Sequence, residues 1–409
     1  MKMMTALALV LASAPAAYAA GPLDNESFID QVGAYNSATV SQKNGNNAQG
    51  TFQAGKGNSV ITSQVTKPST AAGLSGQNNS GNIQVGVGNT ATTTQTSTEP
   101  NSQFLGTPFA NNSFSAQYGV RNDSTVSQTG GQNTQATVQA GKDNESVIGQ
   151  SDKSVSATGA ANTSFTGQFG VNNLAATSQK SADGTTDFGQ FENGHSNASA
   201  SLQIGNGNEV STDQKSVGGT GLGAYNASAT VQVGNGNIAE VKQGGSVGDD
   251  VATLAPQTNG SFVGQFGVSN GAGITQANGG NTQATFQSGY GNTATVDQKT
   301  QVFGTGNGTN NAVTAQFGVE NQATIKQAMA VPLAVGNNNS FSTQVGGFNV
   351  VNSAQTTGQQ ASAGNNTQVA LQVGYGNSAT VAQATGANVS NTSFTAQYGV
   401  HNTAVVSQK

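Results

Sequence analysis

The sequence predicts an all-β chain: a β-solenoid of about fourteen stacked strand–turn–strand repeats, built as a two-sheet cross-β layer. Three observations predict it. A frame of Asn, Gln, Gly, Asn and Gln at offsets 0, 6, 8, 11 and 17 recurs fourteen times without a deviation. Each copy holds two seven-residue halves in which residue types alternate with period two, joined by four residues that include the glycine. No helical periodicity follows the first twenty residues.

The frame starts at Asn25, Asn47, Asn78, Asn111, Asn133, Asn162, Asn197, Asn226, Asn259, Asn281, Asn310, Asn338, Asn366 and Asn391. These starts number the repeats 1 to 14, and offsets within a repeat are its positions. The frame absorbs 56 of the 87 Asn and Gln residues, so that richness is periodic and not low-complexity drift.

Composition narrows the function classes. The 409 residues include 56 Gly, no Cys, no Trp and two His, and only 8 % are charged. No disulfide framework or thiolate metal site is possible. Two His leave little material for a His-based zinc or general-base site. A net charge of −5 with 13 Lys plus Arg argues against a nucleic-acid footprint. Apolar residues at 34 %, many of them Ala, are too few for a conventional core of this length.

The chain opens with an expected secretory signal over residues 1–19. Lys2 supplies the positive start, Ala6 to Ala14 the apolar stretch, and Ala17-Tyr18-Ala19 the small residues ahead of cleavage. Residues 20–24 then form a short mature segment, and residues 25–408 one solenoid of fourteen repeats.

Repeat 1 illustrates the elements. Asn25, Ser27, Ile29 and Gln31 occupy the even positions of its first half, and Asn36, Ala38, Val40 and Gln42 the matching positions of its second. The frame glycines are turn residues, because Gly reaches backbone angles that other residues avoid. They are Gly33, Gly55, Gly86, Gly119, Gly141, Gly170, Gly205, Gly234, Gly267, Gly289, Gly318, Gly346, Gly374 and Gly399. Three gaps between repeats are four residues long (43–46, 129–132 and 277–280); the others run from 7 to 17 and should loop out along one edge.

Stacked rung on rung, the strands would pair at about 4.8 Å spacing, giving a body on the order of 65 Å long. In the second half, Asn, a small residue, Val/Ile/Thr and Gln point inside; nine of fourteen repeats carry Val or Ile at position 15. Stacked Asn and Gln side chains can bond amide to amide along the axis, so each buried amide finds a partner in the next rung. The first half leaves two readings open. Its odd positions hold the large apolar residues, as in Phe114, Phe165, Phe262, Phe394, Val138, Leu202, Val231 and Phe286. Continuity of the frame places them outside as an exposed stripe, and hydrophobicity places them inside.

Catalytic chemistry is not in evidence: no catalytic, cofactor-binding or metal-binding residues and no cofactor are assigned. Asp249-Asp250 is an adjacent carboxylate pair between repeats and reads as solvated loop. His195 and His401 read as loop or turn residues, and Gly205-Asn206-Gly207 as turn and not phosphate cradle. Lys43, Lys180, Lys215, Lys299 and Lys409 follow the last frame Gln and read as solvated rim charges that restrain edge pairing.

The frame resembles the curlin repeat of bacterial curli fibres, Ser-x5-Gln-x-Gly-x2-Asn-x-Ala-x3-Gln. Gln31, Gly33, Asn36, Ala38 and Gln42 match it from the first Gln onward, as do Gln372, Gly374, Asn377, Ala379 and Gln383, and Gln397, Gly399, Asn402, Ala404 and Gln408. The likeness covers residues 25–408. The leading Ser is generally Asn here, the segment ahead of the first repeat is shorter than in the familiar major subunit, and the repeats outnumber that subunit's five. The resemblance implies a secreted subunit of extracellular amyloid fibres at the bacterial surface, serving adhesion, cell aggregation and biofilm matrix. It implies as partners further copies of the chain, other curlin-type subunits or a nucleator, an outer-membrane export machinery, and host or abiotic surfaces.

The residues expected to carry self-assembly are the ladder amides of the terminal repeats: Asn25, Gln31, Asn36 and Gln42 at one end, Asn391, Gln397, Asn402 and Gln408 at the other. Neither end is expected to carry a polar capping element, which soluble solenoids normally require. A monomeric secreted β-solenoid adhesin that does not polymerise is the alternative.

Overall fold

The structure is a computed structural model that describes residues 25–66, 76–97, 110–152, 161–182, 196–217, 224–246, 257–300, 308–329, 336–358, 364–385 and 389–409. The signal expected over 1–19, the segment 20–24, most residues of the longer gaps, Asp249-Asp250 and His195 lie outside these, so the looping of the gaps along one edge does too.

Every regular element among the described residues is a β-strand, two per repeat. In repeat 1 they are Asn25–Ala34 and Ser37–Lys43; in repeat 14 they are Ser390–Val400 and Thr403–Gln408. The chain divides into two compact units, residues 1–181 with repeats 1–6 and residues 182–409 with repeats 7–14. Within each unit the first strands of successive repeats pair in parallel as one sheet, called A here, and the second strands as another, B. The predicted β-solenoid of strand–turn–strand rungs is what the structure shows.

Register follows the frame. Asn25 pairs with Asn47 and Gln31 with Gln53 in the first unit; Asn226 pairs with Asn259 and Gln232 with Gln265 in the second. Insertions do not shift it: 22 residues separate Gln31 from Gln53 and 31 separate Gln53 from Gln84, yet both pairs stack. A one-residue slip would turn every inward side chain outward, so the buried amides hold the register.

The frame glycine sits just before the chain turns. Gly234 has φ +124°, and a Cβ there would lie 1.9 Å from the carbonyl oxygen of Gly267 in the next rung. A side chain is excluded by the backbone conformation and by the neighbouring rung at once.

Sheet B supplies most of the apolar core. Val60, Val210, Val241, Ile274, Val296 and Ile325 are all buried inside the layer. Sheet A faces them with Ser, Thr and Gln, among them Thr137, Thr166, Gln283 and Thr285. Of the two readings left open for the first half, continuity of the frame therefore prevails. Even positions point inward, and Phe262 and Phe286 on the outer face are 42 % and 36 % exposed. The physical reason lies at positions 0 and 6, whose amides bond across and along the layer and carry positions 2 and 4 inside with them. The five Lys that follow the last Gln are exposed, as expected of rim charges.

Candidate functional site

Every framed Asn and Gln belongs to one of four ladders, which run along the stack within each unit. Gln64 shows how a Gln position works. Its Nε2 donates to Gln95 Oε1 in the next rung at 2.8 Å, and also to the backbone oxygens of Ala48 and Asn78. The carbonyls of sheet A fix the amide, because the reverse orientation would set oxygen against oxygen. Gln139 repeats the arrangement at position 6, donating to Gln168 at 2.8 Å and to the backbone oxygens of Asp123 and Asn144.

The Asn ladders run the other way. Asn89 Nδ2 donates to Asn58 Oδ1 in the preceding rung at 3.1 Å, and so does the Asn89 backbone N–H. Asn78 donates back to Asn47 at 2.8 Å at position 0. Each Gln thus donates toward the C-terminal rungs and each Asn toward the N-terminal ones.

This polarity makes the two outermost described rungs unlike. In repeat 1, Gln31 donates to Gln53 and Gln42 to Gln64, which leaves both Oε1 atoms without a donor. Asn25 accepts from Asn47 and Asn36 from Asn58, so their Nδ2 groups find no ladder acceptor. In repeat 14, Gln397 accepts from Gln372 and Gln408 from Gln383, and their Nε2 groups have no ladder partner beyond. Asn391 donates to Asn366 and Asn402 to Asn377, leaving both Oδ1 atoms open. The eight amides expected at the ends are therefore gathered into two complementary sets of four. The strand Asn25–Ala34 is exposed over nearly its whole length, and Thr403–Gln408 is exposed at alternate residues.

The glycine column differs at its last member as well. A Cβ on Gly374 would lie 1.9 Å from Gly399 O, whereas one on Gly399 would meet nothing nearer than Asn402 Nδ2 at 3.6 Å.

A second left-handed column was not foreseen from the sequence. Position 10 has positive φ in every repeat, held by Gly in six and by Tyr35, Arg121, Asp143, Asn172, Ser269, Glu320, Phe348 and His401 in the rest. The signal was present: Gly57, Gly88, Gly207, Gly236, Gly291 and Gly376 all fall there. Stacking makes the non-Gly members tolerable. Arg121 bonds Asp143 in the next rung at 2.7 and 2.8 Å, and His401 meets the Tyr375 ring edge-on.

Charge on the stack is sparse. The hydrogen bond from Arg121 holds the Asp143 carboxyl below its ordinary value. Asp123, stacked on Glu145 in sheet B, is pushed up by burial and then by the Glu145 charge. Among the described residues there is no cluster of three or more His, Cys, Asp or Glu that could hold a metal, and no helix long and apolar enough to cross a membrane.

No protein-family model matches the chain, and no curated protein matches it. What the fold and its ladders define is a β-solenoid repeat protein with stacked Asn and Gln side chains.

Proposed function

We propose that the chain is a structural subunit of a curli-like extracellular amyloid fibre, growing by continuing its stack from one copy to the next. The observation that carries this reading is the complementarity of the two outermost rungs. Set in register, repeat 1 of an incoming copy meets repeat 14 of a resident one. Gln397 and Gln408 donate to its Gln31 and Gln42, and its Asn25 and Asn36 donate to Asn391 and Asn402. The open backbone groups of the same strands pair as they do between any two rungs. No active site is needed. Secretion, an export machinery, a nucleating partner, and service in adhesion, aggregation and biofilm matrix come with the likeness to the curlin repeat.

Gly399→Ala tests the reading. A Cβ at Gly399 meets no backbone oxygen within one chain, but would sit where the next copy's Gly33 carbonyl must go. The variant should keep the β-rich circular dichroism of the parent, add to growing ends and stop them, so that a few per cent of it shortens wild-type fibres. The same change at Gly374 should damage the fold itself. Wild-type chain, diluted from denaturant, that stays monomeric and β-rich would transfer the reading to a non-polymerising adhesin.

A further inference from the structure

We propose that two such stacks pair laterally through the outer face of sheet A, so that the mature fibre is a doublet; this rests on the fibre reading above. From repeat 2 onward the outer face carries apolar residues or Gly at positions 3, 5 and 7 of the repeat, with Ser288 and Thr343 the polar exceptions. Among the described residues those positions carry no charge from repeat 2 to repeat 14. The outer face of sheet B, by contrast, bears Asp123, Glu145, Asp213, Glu240, Lys242 and Lys326. One side of the layer is made for water and the other is not.

The occupant is a second copy because the uncharged strip continues from rung to rung within each unit, so the area it can bury grows only against a partner of the same length and spacing. In the first unit a dent of about 450 Å³ is floored by Gly50 and Gly81 and walled by Phe28, Phe52, Ile83 and Phe114. A Cβ on Gly50 would touch nothing within 4 Å. In the second unit Phe266, Phe286 and Phe317 form a raised row, with ring centroids 5.3 and 5.5 Å apart. Each unit thus carries its own uneven apolar relief on the outer side of sheet A, and a second stack is the partner whose side chains are set at the same rung spacing.

Area says when pairing occurs. Five residues of strand give a strip roughly 13 Å wide, and eight rungs of the second unit extend it to about 500 Å². A stable interface takes about 800 Å² from each partner. That strip falls short by itself, whereas a growing fibre lengthens it with every copy. Pairing should therefore follow elongation.

The test is mass per unit length by scanning transmission electron microscopy, sampled during growth of wild-type chain. Single stacks should come first, and the value should then double. The triple variant Phe262→Ser, Phe286→Ser, Phe341→Ser removes exposed rings and should elongate from seeds at a rate within twofold of wild type while staying single. Gly50→Phe adds apolar area but fills the dent, so it should weaken pairing. Fibres that remain single stacks, a triple variant that still doubles, or pairing strengthened by Gly50→Phe would overturn lateral pairing and leave end-to-end growth standing. Wild-type chain that never elongates would overturn both.

Discussion

Gln383 donates its side-chain amide to Gln408 at 2.7 Å, the last such bond of its ladder in the described structure. Gln408 turns its own Nε2 to the Thr392 carbonyl and has no further Gln to meet. The bond has a direction, so the rung that ends it differs chemically from the rung that begins it.

End and centre of a ladder should therefore respond differently. Gln397→Glu with Gln408→Glu keeps the oxygens that accept from Gln372 and Gln383 but removes the outward donors. Seeded elongation should slow at least tenfold; the carboxylates also lose the bonds to Ser378 O and Thr392 O, so the thermal midpoint of the unassembled chain should fall, but less than for a change at the centre of a ladder. Gln287→Glu sets a carboxylate against Gly271 O and Gln316 Oε1 and should cost about 3 kcal/mol in folding. Equal slowing of growth by both changes would count against templating at the ends.

The hydroxyls of Thr166, Thr230 and Thr314 are buried without a hydrogen-bond partner. Replacing Thr230 with Val keeps the shape and removes a desolvated polar group. Stability should rise by about 1 kcal/mol in a denaturant titration. A loss would mean that the hydroxyl has a partner in solution.

Gly234 and Gly236 lie two residues apart and should differ in their response to Ala. At Gly234 the new Cβ meets a backbone oxygen, so pairing with the next rung must break. At Gly236 the nearest atom is Ser269 Oγ at 3.7 Å, and only the left-handed backbone opposes the change, at about 1–2 kcal/mol. Hydrogen exchange at the neighbouring rung separates the two: protection lost for the first, retained for the second.

Asp123 carries a pH dependence. Its folded carboxyl titrates above its ordinary value of 3.8, first through burial and then through Glu145. The folded chain therefore binds this proton more readily than the unfolded one, and the group weakens folding as pH rises through the raised value. Asp123→Asn should raise the thermal midpoint at neutral pH, and the gain should vanish below pH 3.8. A gain unchanged across that range would remove electrostatics as its cause.

Much of the fold was legible because the repeat states it fourteen times. Where Asn36, Ala38, Val40 and Gln42 alternate, hydrophobicity and frame agree, and the inner face of sheet B could be read directly. In the first half the two signals conflict. Thr285 and Phe286 are neighbours on opposite faces, and the buried one is Thr285. Position 10 escaped because only six of its fourteen residues are Gly, and the rest borrow support from the adjacent rung.

The sequence by itself determined the frame, the strand–turn–strand unit, the parallel stacking of like on like and the inner face of the second strands. Each of these follows from local alternation and repetition, which a linear text carries. Only the tertiary structure decided which face of the first strands is buried and which way each ladder donates. Both depend on backbone carbonyls brought from the opposite sheet: Gln64 reaches the oxygens of Ala48 and Asn78, and no spacing along the chain announces where those oxygens will stand.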